Sequence, residues 1–262
     1  MINIKELKVI IAHKTPVYDY PADWQIVTTD LSESGFYVPD NSKIKQDNNH
    51  HVLSEFGYLI HLAKKLKTMP DIQTIRIIQY RKIVSNQFIK EIVVDNQSNV
   101  VIHRDFFQKY NLDQITTPTQ NFLLSSVYQL KKNMLHNYSV YHTTEDILSF
   151  MIDAIRCGEL SNSDADVFLN YDKLIIGGIG LGVFPTQTFI KIMEKIENIV
   201  NYHYTHGWVK RLDKYNSHNM AFCIERLSGF FLLKELLELG IDYNKVRGLT
   251  AIISADGTYN PK

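Results

Sequence analysis

The sequence predicts one mixed α/β domain, with strands and helices alternating through its first half and helices dominating its second. Three observations predict this. Apolar, β-branched runs at Lys8–His13 and Thr74–Val84 have the look of buried strands. Stretches at 54–66, 143–155, 186–202 and 221–239 carry apolar residues at helical spacing. No repeat, low-complexity tract or linker divides the 262 residues, so 1–262 reads as a single domain.

Composition narrows the class. With 45% hydrophobic and 21% charged residues, the chain can bury a core without disulfides or metal. Lys and Arg (28) balance Asp and Glu (28), so no global basic field favours nucleic acid, which ranks last among partners. Cys157 and Cys223 lie far apart and form no Cys-x-x-Cys pair, as expected of reduced thiols. The N-terminal residues lack the pattern of a signal peptide. The longest apolar stretch, Leu174–Phe184, is glycine-rich and too short to span a bilayer. The expectation is a cytoplasmic protein, at most associated with the inner face of a membrane.

Each element has a local reason. Lys8–His13 ends at Thr15-Pro16, a strand meeting a loop, and ligands of open α/β sheets gather beyond such carboxyl ends. His13 and Lys14 therefore face a ligand or solvent. Residues 18–51 are polar and irregular, a length uncommon in a compact domain unless functional. Ser54 is the expected cap of a helix carrying Leu59, Leu62, Ala63 and Leu66 on one face. The second strand, Thr74–Val84, is apolar until Gln79. Residues 90–101 are β-rich, with a hairpin loop at Asp95–Asn99. Glu145 and Asp146 lead a helix through Ile147, Met151 and Ile155, closed by Gly158. Pro185 opens the helix Thr186–Tyr202, and Gly240 stops the helix Ala221–Leu239. A last strand runs from Thr250 to Ser254.

Few motifs carry specific chemistry. Gly177-Gly-Ile-Gly-Leu-Gly182 has neither the spacing of a dinucleotide fingerprint nor the Lys-Ser/Thr of a P-loop, so tight backbone packing is favoured over ligand approach. Asp164-Ala-Asp166 is a D-x-D, which in many nucleotide-sugar transferases ends an apolar strand and holds a divalent cation (Mn2+ or Mg2+) on the diphosphate. Here Ser161-Asn162-Ser163 precedes it, which favours helix-start carboxylates capped by Ser163 over a metal site. No histidine pair has zinc spacing, and no G-x-S-x-G elbow marks a hydrolase. Gln79-Tyr80-Arg81-Lys82 differs in kind, because it places two cations where a buried strand runs out. Arginine offers a planar fork matched to phosphate oxygens and lysine a point charge, although on these residues alone a solvated sheet edge is the favoured explanation.

The ordered segments resemble the DUF4422 family, glycosyltransferase-like domains of bacterial capsule and lipopolysaccharide clusters. The similar blocks are Ile11-Ala-His13-Lys14, Asp47-Asn48-Asn49, Glu55-Phe-Gly-Tyr58, Gln79-Tyr80-Arg81-Lys82-Ile83-Val84, Tyr138-Ser-Val-Tyr-His142, Glu145-Asp146-Ile147 and Phe222-Cys-Ile-Glu225-Arg226-Leu227. Gln79 stands where the family has His, and Lys82 where it has a second Arg.

The resemblance implies a single GT-A-like, Rossmann-type domain that transfers a sugar from a nucleotide-sugar donor, most simply a UDP-sugar, to a glycan or lipid-linked glycan acceptor. It implies donor binding by His13, Lys14, Tyr80, Arg81, Lys82, His142 and Arg226. Arg81 and Lys82 would neutralise the leaving diphosphate in place of a metal, so no cofactor is expected, with Mn2+ or Mg2+ at Asp164 and Asp166 as the alternative. Glu225 is the first candidate base and Asp146 the second. A non-catalytic sugar- or nucleotide-binding module that assists a partner transferase is the competing reading, and peripheral association with a membrane or transferase complex fits either.

Overall fold

The computed structural model describes residues 5–12, 18–28, 50–86, 93–94, 100–213 and 215–254. In chain order the elements begin with β1 (Lys5–Ala12), β2 (Gln25–Thr28), α1 (His50–Leu53), α2 (Phe56–Leu66), β3 (Ile72–Gln79) and β4 (Lys82–Ser85). Next come β5 (Val93–Val94), β6 (Val100–His103), α3 (Phe106–Lys109), α4 (Leu112–Ile115), β7 (Leu123–Leu124) and β8 (Val127–Gln129). The helix-rich half holds α5 (Met134–Tyr141), α6 (Thr144–Arg156), α7 (Asn162–Asn170), β9 (Lys173–Ile175), β10 (Gly182–Pro185), α8 (Thr186–His206), α9 (Asn219–Glu238), α10 (Tyr243–Val246) and β11 (Leu249–Ser254). Single 3-10 turns at Gly178–Gly180 and Asn216–His218 precede β10 and α9.

The central sheet runs β2-β1-β3-β4-β11-β6-β5, with β10 beside β3 and β7 beside β10. β1 is parallel to β2 and β3, whereas β10 runs antiparallel to β3 and β11 antiparallel to β4. The sheet is therefore mixed. Both of its faces are covered, which is why β1 and β3 read as continuous apolar runs rather than alternating ones. Leu7, Val9, Ile11, Ile75 and Ile77 enter a core shared with α2, α6, α8 and α9. Ile10, Ala12, Ile78, Ile83 and Ile253 enter a second core with Trp24, Phe106, Leu112 and Ile115. Arg76 interrupts β3 without harm. Its guanidinium is buried, but the Glu6 carboxylate, the Thr116 hydroxyl and the Asp113 carbonyl accept from every one of its nitrogens.

In the helical half, α8 presents Phe189, Ile192, Met193, Ile196, Ile199 and Val200 to the core and packs on α2 and α6. α9 is buried nearly all round, because it is wedged among α8, α6, α1, β9 and the Gly178–Gly180 turn. Among the described residues, no helix is long and apolar enough to cross a membrane.

Three local expectations are corrected. The expected strand Thr74–Val84 is two strands. β10 occupies one edge of β3 as far as Ile77, so β4 meets β3 only at Gln79 and Lys82 and then leaves to pair with β11. The helix expected from Ser54 is broken there: Ser54 adopts φ 47°, separates α1 from α2, and gives its hydroxyl to Glu55 Oε2 at 2.6 Å instead of capping. Ser161, not Ser163, caps α7, accepting from Asp164 N at 3.0 Å.

Candidate functional site

Parallel pairing sets Ile11 of β1 beside Gln79 of β3, so both strands end on one edge of the sheet. Tyr80-Arg81 forms a tight turn at that edge, held from three sides. Tyr80 N donates to the Ile11 carbonyl at 3.0 Å, Ile253 N donates to the Arg81 carbonyl at 2.7 Å, and Tyr18 Oη donates to the Gln79 carbonyl at 2.9 Å. The Arg81 guanidinium lies over the Tyr80 ring at 5.3 Å. Tyr80, Arg81 and Lys82 are all half-buried. The Gln79 side chain is buried and donates to Glu55 Oε1 at 3.2 Å, which ties the turn to the start of α2. His13 and Lys14 lie outside the described residues.

The glycine run serves packing. Gly177 and Gly178 have φ of 76° and 52°, and Gly177 N donates to Glu225 Oε1 at 2.8 Å. Ile179 N donates to Ser228 Oγ at 3.2 Å. A Cβ on Gly178 would collide with Ser228 Oγ and sit 2.5 Å from the Glu225 carbonyl oxygen. On the opposite side, Gly180 rests against Phe56 and Leu59 of α2. The turn is thus clamped between α9 and α2, and it links Glu225 to the helix that begins at Glu55.

Arg226 and His142 are brought together from segments about eighty residues apart, with Glu225 next to Arg226 on α9. Arg226 is buried, and its fork donates to the Phe222 carbonyl and to Asn137 Oδ1, both neutral acceptors. Its charged carbon lies 5.1 Å from the Tyr138 ring, and its Nε has no hydrogen-bond partner. The His142 ring stacks on Phe222 at 4.1 Å and on Tyr215 at 5.3 Å. Burial and the Arg226 charge hold the His142 pKa down to about 4, against an opposing pull from the adjacent Asn216 amide. No hydrogen bond of good geometry reaches His142 Nδ1 or Asn216 Oδ1.

Asp146 is differently employed. It is buried at the start of α6, and Arg211 grips both of its oxygens, with Nη2 to Oδ1 at 2.7 Å. The D-x-D lies within α7 rather than at a strand end. Asp164 pairs with Lys234 at 2.7 Å, and Asp166 Oδ1 accepts from Asn170 at 3.1 Å. The Lys234 ammonium holds the Asp164 carboxyl below the usual carboxylate range. Among the described residues, no cluster of three or more His, Cys, Asp or Glu is arranged to hold a metal ion.

Sequence reasoning missed Arg211 and Asn137, the partners of two residues it singled out, and also Tyr215 and Asn216. Phe222 and Glu55 stood inside blocks it used, without a role. Nothing periodic marks Tyr215 or Asn216, which lie in a short turn between two long helices.

No family model matches the chain, and no curated protein matches it. Among solved structures, the apo form of the WbbM bifunctional glycosyltransferase superposes with a TM-score of 0.73 at 13% identity. The alignment covers 98% of this chain and 47% of that one, so the chain spans about half the length of that protein. At this identity the likeness is one of fold. The mixed sheet with a helix-rich C-terminal half is the mixed α/β arrangement that the sequence predicts, and it is consistent with the GT-A-like, Rossmann-type fold that the resemblance implies.

Proposed function

We propose that this chain is a glycosyltransferase that moves a sugar, from a UDP-sugar in the simplest case, onto a glycan or lipid-linked glycan acceptor during synthesis of a bacterial surface polysaccharide. The observation that carries the reading is the likeness in fold, over 98% of the chain, to a solved structure titled a bifunctional glycosyltransferase. The ordered DUF4422-like blocks support it, and so does the cationic turn at the shared carboxyl edge of β1 and β3. The cytoplasm, at the inner face of the membrane, is where nucleotide sugars and lipid-linked acceptors meet.

In this reading the diphosphate lies against the Tyr80–Lys82 turn, and His13 and Lys14 are further candidates for donor binding. Transfer leaves negative charge on the departing diphosphate, and cations already fixed in place stabilise that charge without reorganising. Arg81 contributes a planar fork and Lys82 a point charge, taking the part that a divalent metal plays in D-x-D enzymes. Asp164 and Asp166 are engaged by Lys234 and Asn170, which favours the cationic route over a metal at that pair.

Glu225 is the better placed of the two candidate bases. One carboxylate oxygen is anchored by Gly177 N, which orients the group, and the other can take a proton from the acceptor hydroxyl. Asp146, gripped by Arg211, positions α6 instead. Arg226 follows Glu225 on α9, and His142 stacks on Phe222 of the same helix, so both would belong to the same wall of the site.

The test is a thermal-shift and donor-hydrolysis screen against UDP-, GDP-, CMP- and dTDP-sugars, with and without EDTA. One donor class should raise the melting temperature and be turned over in chelator. Binding without any turnover would favour a non-catalytic module. Loss of turnover in EDTA, restored by manganese, would contradict the cationic route.

A further inference from the structure

The cationic turn has an anionic neighbour. Gln79 and Lys82 stand directly opposite each other where β3 meets β4, and opposed positions of an antiparallel ladder share a face. Ile78 and Ile83, the adjoining residues, enter the core with Trp24 and Phe106, so Gln79 and Lys82 face the other way, toward α2. Glu55 meets them on that side, where its Oε1 accepts from the Gln79 amide at 3.2 Å.

This carboxylate is held in place without being spent. It stands at the N-cap position of α2 yet makes no side-chain cap hydrogen bond. Each oxygen accepts from one neutral donor instead, Oε1 from Gln79 and Oε2 from Ser54 Oγ at 2.6 Å, which fixes the plane of the group and leaves lone pairs over. Ser54, just before it, is left-handed at φ 47°, a conformation that costs a residue with a Cβ. Among the described residues no lysine or arginine pairs with Glu55, although Lys82 emerges on the same face. Both residues are half-buried, so a ligand can reach them.

An anion and a cation fixed on one face, and not paired with each other, suit a ligand that brings a partner for each. A carboxylate accepts from hydroxyls and repels phosphate, whereas Lys82 and Arg81 attract phosphate. A sugar bonded directly to phosphate carries both groups a short way apart. We infer that Glu55 holds a hydroxyl of the sugar next to the phosphates seated on Arg81 and Lys82, and so selects sugar phosphates over bare polyphosphate. In a nucleotide sugar that hydroxyl belongs to the ribose or to the transferred sugar. The inference rests on the reading of the Tyr80–Lys82 turn as the diphosphate site.

The experiment is isothermal titration of the full chain in EDTA with inorganic pyrophosphate, UDP, UDP-glucose, GDP and GDP-mannose, on wild type and Glu55→Gln. The variant keeps an acceptor oxygen for the tie to Gln79, so its melting temperature should match wild type. It should bind the nucleotide sugar at least about five-fold more weakly, and pyrophosphate as tightly or more tightly, because a repelling charge is gone. Glu55→Asp, which withdraws the charge by one methylene, should show the same nucleotide-sugar loss without the pyrophosphate gain. A loss shared by the bare nucleotide assigns the hydroxyl to the ribose, and a loss confined to the sugar conjugate assigns it to the transferred sugar. Equal nucleotide-sugar affinity in wild type and Glu55→Gln would overturn the inference. So would a parallel loss of pyrophosphate binding with a lower melting temperature, which marks a structural tie. Wild type that binds pyrophosphate but none of the nucleotides would overturn it while sparing the cationic turn. Wild type that binds none of the five ligands would contradict the diphosphate site itself, and the inference would fall with it.

Discussion

Replacing Gly178 by alanine puts a methyl group into the clamp between α9 and the glycine turn, and the structure sets the size of the penalty. The new Cβ would collide with Ser228 Oγ and lie 2.5 Å from the Glu225 carbonyl oxygen, which belongs to helix backbone and cannot rotate away. The φ of 52° adds the left-handed penalty of roughly 1 kcal/mol for a residue with a Cβ. Overpacking adds about 1–3 kcal/mol, and displacing Ser228 loses its bond from Ile179 N, about 1 kcal/mol. The total is about 3–5 kcal/mol, against a typical stability of ~5–15 kcal/mol for a whole domain. Gly158→Ala is the control, since φ is 83° there but nothing lies within 4 Å of the added Cβ. It should lose only the backbone penalty. Urea unfolding followed by circular dichroism gives both numbers, and Gly178→Ala combined with Ser228→Ala should recover part of the loss. If Gly178→Ala is no less stable than Gly158→Ala, the clamp does not hold Glu225 as described.

Glu225→Gln should keep the fold and the donor affinity while lowering kcat by roughly 10²–10⁴-fold, read in a donor-turnover assay. Asp146→Asn should instead act on stability, by about 3 kcal/mol, because it leaves Arg211 without its buried anion; a melting-temperature series distinguishes the two. His142 makes stability depend on pH with a definite sign. Its folded pKa of about 4 lies below the ordinary imidazole value of 6.5, so the neutral ring is favoured by folding. That contribution is complete above pH 6.5, falls as the unfolded chain takes up protons, and levels off near pH 4. Allowing for solvent screening of the partly open ring, it amounts to about 1–2 kcal/mol. Urea titrations of wild type and His142→Phe at pH 7 and pH 5 should show a smaller pH dependence in the variant, and equal slopes would refute the assignment.

Much of the fold was legible because its strongest signals are local. The helices at 144–156, 186–206 and 219–238 announce themselves by periodicity, and the runs at 8–12 and 74–79 by their β-branched residues. What stayed hidden depends on partners distant in sequence. Whether the chain continues straight after Gln79 or turns is decided by β10 and β11, which lie about a hundred residues or more further on. α5 buries only Met134 and Tyr138 of its eight residues, too few to reveal a helical stripe. The site was partly legible for the same reason. Charged residues at a strand end are visible in one dimension, whereas the stack of His142, Phe222 and Tyr215 assembles from three separate segments. The anchoring of the Glu225 carboxylate by Gly177 and of the Arg226 guanidinium by Asn137 likewise depends on segments far from α9 in sequence.

The claim on which the account turns is that the β3–β4 turn binds the donor diphosphate through fixed cations. Isothermal titration of UDP in EDTA, on wild type and on Arg81→Ala with Lys82→Ala, tests it most directly. The account predicts binding by the wild type and a loss of at least about ten-fold in the double variant, with the urea midpoint unchanged, as expected when charge-assisted contacts to a phosphate are removed from a half-buried turn. Equal affinity in the two proteins, or binding that appears only when manganese is restored, would contradict it.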